Sequence, residues 1–137
     1  MSFDTKKSWD ACGAAFDRYT TTDDSFSDNI ERPALATLLG DIAGARTLDL
    51  GCGSGTHSTW MAERGAQVVG CDLSSTMLAL ARQRARQHGV ALELCLADIS
   101  TALPFADQTF DLALTATALH YVADLATTMR EIARVLQ

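Results

Sequence analysis

The segment "TLDLGCGSGTHS", residues 47–58, places glycines at 51, 53 and 55 and a carboxylate, Asp49, two residues ahead of the first. Alternate glycines let a backbone turn sharply and let a ligand approach its N–H groups closely. A second acid, Asp72, follows Gly51 by 21 residues. That is close to the spacing of about 20 at which a carboxylate accepts from both hydroxyls of a ribose in nucleotide-binding sheets. Asp98 and the run "TATALHY", which begins at Thr115 and contains His120, come at similar intervals. Taken singly, a glycine turn serves strand-to-helix packing and an acid after a strand caps a helix. Together, in this order, they suit the holding of a nucleoside.

The type of nucleoside follows from charge. A dinucleotide sets its pyrophosphate over a G-x-G-x-x-G loop at a helix N-terminus. Here the sixth position is Thr56 and the third glycine comes one residue early. Asp49 would also repel a pyrophosphate. It suits a ligand carrying positive charge beside the loop. S-adenosylmethionine, with adenine, ribose, a sulfonium and an α-ammonium, is such a ligand.

Elements to position these residues are legible in the apolar pattern. Strands are expected at 45–51, 66–73, 91–98 and 109–119. Helices are expected at 57–65, closed by Gly65, and at 75–89, with Ser75 as N-cap and Gly89 as stop. Asp124 opens a last helix, in which Leu125, Met129, Ile132 and Leu136 form one apolar stripe. Upstream, "ERPALATLLGDI" reads as a helix with Pro33 in its first turn, and "TTTDDSFSDN" reads as a loop. Strands alternating with helices imply parallel pairing through right-handed crossovers. In such sheets ligands bind beyond the carboxyl ends of the strands. Asp49, Asp72, Asp98 and the segment from Thr115 to His120 all fall there.

The 137 residues suffice for one core, and 47% hydrophobic with 20% charged residues is a globular composition. The formal charge of -6 disfavours nucleic-acid partners. No run has the apolar length of a signal peptide or a membrane span. Cys12, Cys52, Cys71 and Cys95 form no C-x-x-C pair, so neither a metal site nor a disulfide framework is expected, and a cytoplasmic setting is.

The motifs "LDLGCGSG", "VVGCDLSSTML", "LADI" and "FDLALTATALHYV" resemble those of the class I S-adenosylmethionine-dependent methyltransferases, in the small-molecule branch with the methyltransferase 11/25-type domain. The resemblance covers roughly residues 30 to 137. It implies an α/β fold: a Rossmann-like doubly wound parallel sheet, helices on both faces, strand order 3-2-1-4. It implies that Asp49, Gly51 and Gly53 line the methionine part and that Asp72 takes the ribose hydroxyls. Leu73 and Met77 would lie against adenine, Asp98 and the backbone of Ile99 would meet its amino group, and Thr115 would lie near the sulfonium. Residues 1–28, with Trp9, Phe16 and Tyr19, are similar to the cap that closes over cofactor and substrate in this branch; residues 29–137 are the cofactor-binding domain.

The chain departs from the family at "REIARVLQ", where members continue with further strands of a seven-stranded sheet. The expectation is a sheet lacking that C-terminal part, with strand 4 as an open edge. A homo-oligomer through that edge or the last helix would cover it. The expected activity is methyl transfer from S-adenosylmethionine to a small molecule, leaving S-adenosylhomocysteine. The alternative is a module that binds either molecule without catalysis. His120 is the candidate general base, because it follows strand 4 where the acceptor is expected. Arg82, Arg84 and Arg86 are read as a solvated helix face, and His57 and His88 as ordinary helix residues.

Overall fold

Four parallel strands, β1 (Arg46–Leu50), β2 (Gln67–Asp72), β3 (Glu93–Leu96) and β4 (Leu112–Leu114), form one sheet in the order β3-β2-β1-β4. The structure is a computed structural model and describes residues 4–21 and 25–137. β1 is central, with Asp49 in register with Gly70 of β2 and Leu114 of β4. Its apolar side chains face one core, and those of β2 divide between two. Leu48 and Leu50 join Val69, Cys71, Phe110, Ile132 and Val135 on one face. Ile42, Met61, Ala66 and Val68 form the core of the other. β1 and β2 are buried, as strands covered on both faces of a parallel sheet are, whereas β3 and β4 are only partly buried.

The helices are α1 (Thr5–Thr20), α2 (Arg32–Leu39), α3 (Thr56–Glu63), α4 (Ser75–His88) and α5 (Leu125–Val135). The cap of α4 is Ser74 rather than Ser75: its Oγ accepts the Met77 N–H at 3.2 Å. Gly89 stops α4 with φ +68. Asp124 caps α5 by accepting the Thr127 N–H at 3.1 Å. Along α5 the expected stripe divides. Ile132 is buried, Leu125 and Met129 are about half exposed, and Leu136 lies beyond the helix in extended conformation.

Several expected spans are longer than those observed. β4 keeps only three residues of 109–119. Ahead of it, the N–H groups of Thr109 and Phe110 donate to Val135 O at 2.8 and 3.0 Å, and Leu136 bridges to Phe110 in parallel. After it, Thr117 takes a left-handed φ of 57 and breaks the strand. The loop expected over residues 20–29 is shorter on its C-terminal side, where a π-helical turn, Ser27–Glu31, runs directly into α2. Residues 22–24 of that expected loop, and residues 1–3 of the expected cap, lie outside the described residues. Among the described residues no helix is long and apolar enough to cross a membrane.

α1 packs against α4. Gly13 makes this possible, since a Cβ there would lie 3.1 Å from Met77 Sδ. Asp10 of α1 accepts from Ser74 Oγ at 2.7 Å, fixing the helix beside the end of β2.

Candidate functional site

A cavity of about 890 Å³ opens at the carboxyl ends of the strands, beneath α1 and the turn at Ser27–Glu31. This is the upper end of the range for small-molecule sites. Tyr19, Asp49, Gly51, Gly53, Asp72, Leu73, Met77, Asp98 and Ile99 all line it. Thr115 and His120 do not. Thr115 Oγ1 is buried without a hydrogen-bond partner. His120 is exposed and lies against the Tyr121 ring at 4.0 Å. The turn at Thr117 and the short 3-10 turn Leu119–Tyr121 bring Ala116, Ala118, Tyr121 and Val122 to the cavity instead.

The glycine loop is shaped by its anchors. The N–H groups of Gly51 and Cys52 both donate to Cys71 O at 2.9 Å, which ties the loop to β2. Gly51 has φ +70, and a Cβ on it would lie 2.4 Å from Ala118 Cβ. Gly55 has φ +79, and its Cβ would meet Ala81 Cβ of α4 at 2.8 Å. Gly53, φ +55, has nothing within 4 Å of that position and leaves its N–H free to be held by Asp72.

Asp72 carries two loads. Its Oδ2 accepts the Gly53 N–H at 2.9 Å and its Oδ1 accepts the Ser74 N–H at 2.8 Å. Burial pushes its pKa up, and these backbone donors oppose the rise. Asp49 is 2% exposed and accepts from Ser58 Oγ of α3 at 2.5 Å. Burial raises its pKa above the usual carboxylate range. The Ser58 bond and His57 pull against that rise, and Asp72 adds to it. The lining is acidic as a whole: Asp4, Glu31, Asp49, Asp72 and Asp98 face it. Lys6, the one lysine among the described lining residues, is ion-paired with Asp10 at 2.6 Å. A cationic ligand relieves this field, and an anionic one meets it unopposed.

The buried Asp49 carries a stability consequence. Its folded-state pKa lies above its unfolded one, so between the two values the native state holds the extra proton and stability falls as pH rises. The cost is absent below the usual carboxylate range and complete above the raised value. Asp49→Asn keeps the shape and an acceptor for Ser58 Oγ. In ligand-free protein its melting temperature relative to the parent is expected to climb as the pH rises above the usual carboxylate range, in scanning calorimetry. A pH-independent difference would contradict the burial argument.

Two groups of the site escape the sequence reading. Arg84 is not on a solvated face: its side chain is 17% exposed. Its Nε donates to Ser54 O of the glycine loop at 2.9 Å, and its guanidinium donates to Asp17 of α1 at 2.5 Å. It therefore joins the loop to the helix above the cavity. His57 lines the cavity, with Nε2 3.4 Å from Glu31 Oε2 and Nδ1 buried without a partner. Its place in the first turn after the glycines was the one available signal. Hydrogen bonds to charged groups contribute about 1.5–3 kcal/mol. Arg84→Met should thus speed tryptic cleavage after Arg18 in α1 about tenfold through easier local opening. Arg82→Met, an exposed neighbour, should leave that rate unchanged.

A doubly wound parallel sheet with an acid-lined cavity over a glycine loop at its switch point is a nucleoside-binding fold of Rossmann type. The model of one family, described as "Methyltransferase domain", matches residues 48–137, and the chain belongs to that family. The malonyl-[acyl-carrier protein] O-methyltransferase of Pseudescherichia vulneris is 39% identical over 130 residues, 93% of this chain and 49% of that protein. The demethylmenaquinone methyltransferase of Corynebacterium kroppenstedtii is 36% identical over 129 residues, 94% of this chain and 53% of that protein. The crystal structure of an S-adenosylmethionine-dependent methyltransferase from Mesorhizobium loti superposes with a TM-score of 0.69 at 41% identity, over 80% of this chain and 50% of that one. The chain thus spans about half the length of the curated relatives it matches. S-adenosylmethionine is the cofactor, and the residues present suit it. A buried carboxylic acid, Asp49, stands beside the loop, and a second, Asp72, stands at the end of β2.

Proposed function

We propose that this chain belongs to an S-adenosylmethionine-dependent methyltransferase acting on a small-molecule acceptor. The observation that carries it is the buried Asp49, beside the glycine loop in a cavity lined by four further carboxylates. The cofactor supplies a sulfonium methyl, already an activated electrophile. The chain's task is then positioning and exclusion of water.

In this reading Asp49, Gly51 and Gly53 receive the methionine part and Asp72 the ribose hydroxyls. Leu73 and Met77 flank adenine, and Asp98 with the Ile99 backbone meets its amino group. Asp72 holds the Gly53 N–H in place at the same time. α1 and its Tyr19 serve as the cap over residues 29–137, latched through Arg84 and Asp10. The reading gives no role to Thr115 or His120, which lie outside the lining. His57, paired with Glu31, lines the cavity where His120 does not. Self-association through α5 belongs to the proposal too, supported by the half-exposed Leu125 and Met129. The four free cysteines fit a cytoplasmic setting.

The test is transfer of a labelled methyl group from S-adenosylmethionine across a panel of small acceptors. Label in an acceptor is the expected result. Cofactor binding with no transfer to any of them would reduce the reading to a binding module.

A further inference from the structure

One side of the cavity is walled by aromatic rings. Trp9 of α1 meets Phe16 edge-to-face at 5.0 Å and Tyr121 at 5.9 Å, so the cap helix and the 3-10 turn present one continuous aromatic wall. Tyr19 and Phe26 complete it at 81% and 64% exposure. None of these rings joins either hydrophobic core. Exposed rings gathered around one opening mark a surface that a ligand covers, and rings prefer the faces and edges of other flat π-systems. The charge beside them is negative. Asp4 caps the same helix and Glu31 ends the turn that follows Phe26, and Lys6 is held by Asp10. No free cation among the described lining residues awaits an acid group.

We propose that this side takes a neutral, planar, apolar acceptor and rejects anionic ones, an inference that rests on the methyltransferase reading. Apolar burial against the rings supplies the attraction. A carboxylate on the same ring system would be desolvated beside Asp4 and Glu31, where like charges repel.

The test uses two probes that share a ring system, 2-naphthol and 2-naphthoate, titrated calorimetrically into the whole chain saturated with S-adenosylhomocysteine. The naphthol is expected to bind at least tenfold more tightly. Glu31→Gln should narrow that ratio to about threefold or less by restoring the naphthoate, and Trp9→Ala should weaken the naphthol at least tenfold. Equal affinities, tighter naphthoate binding, or no naphthol heat on protein that has bound S-adenosylhomocysteine would overturn the inference and leave the cofactor reading intact. Absence of S-adenosylhomocysteine binding would overturn both. A ratio unmoved by Glu31→Gln would overturn the electrostatic part.

Discussion

Asp72→Ala is expected to lower the affinity for S-adenosylhomocysteine on the order of 100-fold, and Asp107→Ala to leave it unchanged. The carboxylate of Asp72 is the acceptor for two backbone donors, Gly53 N–H and Ser74 N–H. In the proposed complex it also accepts from the ribose. Each buried donor left without an acceptor costs about 1–3 kcal/mol, and 1.4 kcal/mol is tenfold in affinity. Loss of the loop's anchor and of the hydroxyls' acceptor therefore compounds. Asp72→Asn is expected to fall between the two. Its one oxygen serves one donor while its NH2 faces the other. Asp107 pairs with Arg134 at 2.8 Å, is 74% exposed and stands outside the cavity lining, so its removal touches only a surface ion pair. Calorimetric titration of the three variants decides the matter. Equal affinities for Asp72→Ala and Asp107→Ala would refute the ribose role.

The second large effect is on stability. Gly55→Ala is expected to cost about 2–5 kcal/mol. A left-handed conformation costs an L-residue about 1–2 kcal/mol, and overpacking costs about 1–3 kcal/mol more. The clash is with Ala81, whose Cβ and Cα would lie 2.8 and 3.0 Å from the new methyl, and α3 and α4 would have to separate. For a chain of this size the melting temperature should fall on the order of 10 °C. Gly53→Ala has the same handedness and open space around it, so only the conformational part applies and the fall should be about half as large. Equal melting temperatures for the two variants would mean that the α3–α4 contact at Ala81 carries no weight.

The sheet was legible because each central strand is buried on both faces and reads as an apolar run next to its glycine or serine punctuation. Parallel pairing and the gathering of Asp49, Asp72 and Asp98 at one end follow from that pattern, whereas the order β3-β2-β1-β4 was what the family resemblance implied. The extent of β4 was not legible. Its flanks are apolar enough to read as strand, yet Phe110 pairs with Leu136 and Thr117 turns left-handed, and both depend on tertiary position. The same turn removes Thr115 and His120 from the cavity wall and installs Tyr121. Arg84 was misread for a related reason. Spacing places three arginines around a helix, but only the packing of α1 shows which one finds Asp17 and the Ser54 carbonyl. The Glu31–His57 pair joins residues from separate elements, and no local pattern announces it.

The central claim is that the acid-lined cavity holds a sulfonium nucleoside rather than a pyrophosphate one. Isothermal titration of the whole chain with S-adenosylmethionine and, separately, with NAD tests it most directly. The account predicts saturable heat with S-adenosylmethionine, weakened by Asp49→Asn, and none with NAD. Tight binding of NAD with no heat from S-adenosylmethionine would contradict it.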